Sequence, residues 1–171
     1  MHRLQTEAER VKPTDLLAVL REFHREKLSL RQRHAAVARH VSHYAFNNTY
    51  QYVIAREDVH LAWLEAAIAD SGGTAEQVDE PVLAARGKKD GFLPLVAEDS
   101  READAFVSRW RPRAGDVTNA RHRGMMQVIL GETLEHKRFF DQMAEGREDL
   151  LGRRMAGAGT GNGVTGVRWK E

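Results

Sequence analysis

The sequence has no cysteine, which excludes disulfides, thiol catalysis and thiolate metal sites and leaves the redox compartment open. It has no excess of either charge. The 26 Lys and Arg stand against 25 Asp and Glu, so bulk electrostatics draw the chain neither to nucleic acid nor to anionic membranes. It has no apolar run approaching the ~20 residues that cross a bilayer. The segment from Met1 to Arg10 lacks an apolar signal core, so a cytoplasmic protein is expected. There is no Gly-x-Ser-x-Gly elbow and no carboxylate pair with a hydrolase spacing, which disfavours hydrolysis. The helical segments are too long and too sparsely interrupted for a compact helix-turn-helix reader.

What is present is an ordinary globular composition, 42% hydrophobic and 30% charged over 171 residues. That length suits one domain with a core of useful size. Apolar positions recur at helical spacing through Leu16, Leu20, Phe23, Leu30, Val37, Val41 and Tyr44, giving a first helix that starts near Pro13-Thr14-Asp15, with Thr14 or Asp15 as cap. Asn47-Asn48-Thr49 reads as the break after it, because these side chains compete for backbone hydrogen bonds. A second helix is expected over about 50–70, ended by Gly72-Gly73. Residues 72–97 read as a long crossover, which lets the chain traverse a bundle. A third helix is expected over about 98–111, punctuated by Pro112 and Gly115. A fourth follows, capped by Asp116 or Thr118, reaching about Ala144 and stopped by Gly146.

The expected architecture is therefore an all-α four-helix bundle over 13–146, between an N-terminal extension (1–12) and a C-terminal tail (147–171). The stretch 156–166 alternates glycine with small residues. It lacks the strand, helix and Gly-Lys-Ser/Thr of a phosphate loop, and Val167 and Trp169 could pin it to the bundle or to a neighbouring subunit.

Polar residues on the apolar stripes carry the functional signal, since a buried charge needs a partner or a metal. On the second helix Val53, Glu57, His60 and Leu64 share one face, which makes an E-x-x-H pair. On the fourth, Met125, Ile129, Glu132, His136 and Phe140 form a similar line, with Glu135 beside it. The first helix adds Glu26 on the line Val19, Phe23, Glu26, Leu30, and the third adds Asp99 or Glu102. Carboxylates from two helices, with a Glu and a His from each of the others, are the donor set of a two-ion iron or manganese centre in a bundle core.

In these residues the chain resembles the ferritin-like superfamily of ferritins, bacterioferritins and rubrerythrins, over roughly 14–146. Glu57 and His60 match the E-x-x-H motif as written. The fourth helix departs from it, with Glu132 and His136 four residues apart. A turn at Asn47 falls late for Glu26 to meet Glu57 at one level; a turn nearer their midpoint is required.

The resemblance implies two iron or manganese ions and a di-iron type of oxidoreductase chemistry. Its metal ligands would be Glu57, His60, Glu132 and His136, completed from Glu26, Asp99, Glu102 and Glu135. Two alternatives stand beside it. One is a non-catalytic interaction or structural bundle whose buried Glu and His maintain the fold, and the other is a bundle with a cavity for a small organic ligand.

Several further features have plainer readings. The cluster His34, His40, His43 and Tyr44 invites a further metal reading, but His40 and His43 read as helix-end residues that stabilise the negative pole of the helix. Tyr50 and Tyr52 read as core or interface, and Met125-Met126 as packing. Arg109 to Arg113 and Arg121-His122-Arg123 read as a solvated or inter-subunit ion-pair surface. Self-association into a homodimer is compatible with a bundle that leaves a helix face exposed.

Overall fold

A computed structural model describes residues 13–84 and 91–151 of the chain. Four helices follow in order: α1 Pro13–Ala38, α2 Tyr44–Asp70, α3 Leu93–Gly115 and α4 Ala120–Ala144. No strand is found among the described residues. None of these helices is long and apolar enough to cross a membrane. The extension (1–12) and the glycine-rich stretch lie outside the described residues.

Side-chain pairs give the helix directions. Lys27 meets Glu57 and His24 meets Glu65, so α2 runs back along α1. Glu22 meets Arg113 and Arg33 meets Asp99, so α3 is antiparallel to α1. Tyr52 packs on Phe139 and Arg56 bonds Glu132, so α4 is antiparallel to α2. It follows that α2 and α3 are parallel, and the chain must return along the whole bundle between them. It does so beside α1: Arg21 bonds the Thr74 carbonyl, Gln32 the Val78 carbonyl and Arg39 the Glu80 carboxylate. The expected crossover is thus present.

Both expected glycine stops are found. Gly72 (φ 80°) and Gly146 (φ 82°) take the left-handed conformation after α2 and α4. At the first, Gly73 N–H donates to the Ile68 carbonyl and Gly72 N–H to that of Ala69; at the second, Arg147 donates to Gln142 and Gly146 to Met143. This is the double hydrogen bond that closes a helix on a left-handed residue.

Other boundaries differ from expectation. The first turn occupies 39–43, and Asn47, Asn48 and Thr49 lie inside α2. Asn47 does compete for backbone groups, but those of the preceding turn: its Nδ2 donates to the carbonyls of Ala38 and Val41. α3 starts at Leu93, not near 98, because Leu95 and Val96 bury their side chains. Pro112 falls in the last turn of α3, where the helix carries on to Gly115. The cap of α4 is Asn119, whose Oδ1 accepts from His122 N–H at 3.1 Å, in place of Asp116 or Thr118.

Two apolar clusters fill the interior. One gathers Leu20, Phe23, Leu64, Ile68, Trp110 and Met126. The other gathers Val37, Phe46, Tyr50, Val53, Val96 and Phe140. Phe23 and Trp110 meet edge to face at 4.9 Å in the first, a favoured aromatic geometry. Between the two lies a polar belt.

Candidate functional site

The belt takes one or two side chains from each helix. Lys27 and His34 come from α1, Glu57 and His60 from α2, Asp99 from α3, and Thr133 and His136 from α4. All are buried. Helical spacing explains the alignment, since 27 and 34, 57 and 60, and 133 and 136 are each about one or two turns apart on a single face.

Glu57 is the hub. Lys27 Nζ donates to its Oε1 at 2.7 Å and also to Thr133 Oγ1 at 3.1 Å. The Thr133 hydroxyl donates onward to the Ile129 carbonyl. His34 Nδ1–H donates to Glu57 Oε2 at 2.8 Å, because a carboxylate only accepts. Burial alone would raise the Glu57 carboxyl, but the His34 and Lys27 charges overcome it and hold the group well below the usual carboxylate range. Lys27 Nζ also stands 5.8 Å from the centre of the Phe106 ring, a cation–π distance.

A second carboxylate sits at the rim. Glu132 takes a forked ion pair from Arg56, with Nη2 to Oε1 at 2.8 Å and Nε to Oε2 at 3.0 Å. It also accepts from His60 Nε2 at 2.8 Å. The third buried carboxylate, Asp99, accepts from Tyr50 OH at 2.5 Å and Arg33 Nε at 2.6 Å. Burial raises its carboxyl even against His34, Tyr50 and Arg33.

The imidazoles are incompletely satisfied. His34 Nε2, His60 Nδ1 and His136 Nδ1 are buried without a hydrogen-bond partner. His136 Nδ1 is 3.9 Å from Glu57 Oε1, too long for a bond. Burial first, and then Lys27, push the His136 imidazole down to about 3, and the same two causes lower His60. Both rings are therefore neutral at pH 7.

Of the eight residues expected as metal ligands, the fold brings four together: Glu57, His60, Glu132 and His136. Asp99 is buried nearby but bonds Tyr50 and Arg33. Glu26 faces α3, where Arg109 Nη2 and Trp110 Nε1 hold its Oε2 at 2.5 and 2.8 Å. Glu102 is exposed, and Glu135 is an exposed partner of Arg138. The turn at 39–43 does lie midway between Glu26 and Glu57, yet the inward residue of that pair is Lys27.

Sequence reasoning missed Lys27 and Thr133 and gave His34 no place in the site. The signal was available in the line Phe23, Lys27, Leu30, His34, spaced by four, three and four residues. On α4, Thr133 and His136 have the spacing of an E-x-x-H pair, with threonine where the acid would stand.

The donor set therefore fails to fit two divalent ions. Such a centre needs several free carboxylates to offset about four positive charges. Here Thr133 stands where the fourth-helix acid of the motif would be, Glu57 is already neutralised by Lys27, and Glu132 by Arg56. Among the described residues no three His, Asp or Glu side chains converge in a metal-holding arrangement. No protein-family model, curated protein or solved structure matches the chain.

Proposed function

We propose that the chain is a ferritin-like bundle in which an internal ammonium replaces core metal ions, and that it acts as a metal-independent interaction or structural module. The observation that carries this reading is Lys27 Nζ, 2.7 Å from Glu57 Oε1 at the centre of four helices. A buried carboxylate requires a cation, and a covalently attached one is always present. The parallel α2 and α3, with a return segment along α1, supply the topological half of the resemblance; the E-x-x-H at Glu57 and His60 supplies the other.

Plasma mass spectrometry of protein purified without chelator tests it, repeated after anaerobic reconstitution with iron or manganese. The expected result is no stoichiometric metal in either sample. Near two ions per chain, lost in a folded Glu57→Ala, His136→Ala variant, would replace this reading with a di-metal oxidoreductase.

The bare nitrogens of His60 and His136 favour a second reading, a single divalent ion beside Glu57 once Lys27 has moved aside. Cobalt(II) bound by the wild-type chain at one per chain would support it. Cobalt bound only by a Lys27→Ala variant would support the internal ammonium.

A further inference from the structure

Beside the belt a cleft of about 510 Å³ opens between α2 and α4, lined by Tyr52, Arg56, Glu132, Glu135, His136 and Phe139. That is the size of a small-molecule site. Glu132, His136 and Phe139 are four and three residues apart on α4, and Tyr52 and Arg56 are four apart on α2, so each set shares a face. Tyr52 and Phe139 meet edge to face at 6.0 Å at one end. The forked Arg56–Glu132 pair closes the other, and His136 stands between these contacts on α4.

His136 is only 2% exposed, yet among the described residues no hydrogen bond is found for either ring nitrogen. Buried polar groups are otherwise almost always paired. Its Nδ1 edge looks inward, 3.9 Å from Glu57 Oε1, which leaves Nε2 for the cleft. The missing partner therefore has one open side to come from.

The surroundings specify its chemistry. Arg56 and Glu132 neutralise each other, Glu135 at the mouth is paired with Arg138, and the imidazole is neutral. No net charge is left to offset the hydration that a charged ligand loses on entry. Tyr52, 45% exposed, and Phe139 offer ring edges and faces, which a third aromatic ring packs against in edge or offset geometry. A single polar atom on such a ring matches the single free nitrogen. A hydroxyl both donates and accepts, so it suits Nε2 in either tautomer of His136.

We propose that this cleft binds a small uncharged phenol, its ring against Tyr52 and Phe139 and its hydroxyl on His136 Nε2. The site goes beyond the module reading and does not depend on it, because it uses the ring edge turned away from Glu57.

Isothermal titration calorimetry of the full chain with phenol and with toluene, in buffer containing EDTA, tests this. Phenol is expected to bind at one per chain with a Kd of about 0.5 mM, and about tenfold more tightly than toluene. Toluene is the more apolar of the two, so burial alone gives the opposite order. His136→Phe keeps a flat ring, removes the nitrogen and reverses the order. Tyr52→Ala, at an exposed position, weakens both ligands and leaves their order unchanged. In imidazole nitrogen NMR spectra, phenol shifts the Nε2 signal of His136 and leaves that of His34 Nδ1 in place.

No saturable phenol binding up to about 10 mM overturns the proposal. So does toluene bound as tightly as phenol, or phenol binding unchanged in His136→Phe. If that variant fails to fold, the wild-type spectra decide, since an unmoved His136 Nε2 signal overturns the proposal equally. None of these results touches the module reading, which stands or falls on metal content.

Discussion

The cluster around Trp110 and the belt around Glu57 are equally buried, yet truncation acts on them in different ways. In the apolar cluster a shortened side chain loses contacts and leaves a cavity, and its neighbours relax toward it. In the belt a shortened side chain strands a charge. Lys27, Glu57 and His34 are each tolerable only because the others are present, so the belt is a coupled unit and the cluster is a sum of contacts.

That contrast predicts its largest effect at the hub. Glu57→Ala leaves the Lys27 ammonium and the His34 ring without their acceptor, and a loss of about 3–5 kcal/mol in denaturant unfolding at pH 7 is expected. The double variant Lys27→Met, Glu57→Leu removes both charges at similar volume and should recover most of that loss. If the double variant is as unstable as the single one, the belt is not coupled through charge.

Acid separates the regions next. The imidazole of His136 stays neutral in the fold down to about 3, against an ordinary value of 6.5. Between these values the unfolded chain binds the extra proton, so stability is fully present above pH 6.5 and is lost as pH falls through the window. The loss to about pH 5 amounts to about 2 kcal/mol. His60, also lowered, adds to the slope. Glu57, held below its ordinary 4.5, extends the loss below that pH. Unfolding measured against pH should flatten above pH 5 in His136→Asn, whereas a variant in the apolar cluster should shift the whole curve and leave its slope unchanged.

The smallest effect belongs to that cluster. Ile68→Val deletes one methyl at a site with no exposed surface, and about 1 kcal/mol is expected. The value should add to that of Glu57→Ala when the two changes are combined. A strong departure from additivity would mean that cluster and belt share more than a boundary.

Much of this architecture is legible in residue order. Four helices follow from apolar spacing. Gly72 and Gly146 end two of them because a left-handed residue suits glycine and few others, and that preference is local. Glu57, His60 and His136 were also readable as inward, since the spacing of apolar neighbours carries them into the core.

The turn between α1 and α2 was not readable from Asn47, because an asparagine that captures free carbonyls can do so from either side of a turn. Nor was Lys27, since a lysine on an apolar stripe ordinarily reaches past it to water, and only three other helices closing around it deny it that route.

By itself, then, the sequence determined that the chain forms helices and which faces turn inward, because those are matters of periodicity within a few residues. Only the tertiary structure decided what the buried acids meet. Whether Glu57 faces a metal or an ammonium depends on which side chain of α1 arrives at its level, and that depends on a turn position and a return path set by the packing of the whole bundle.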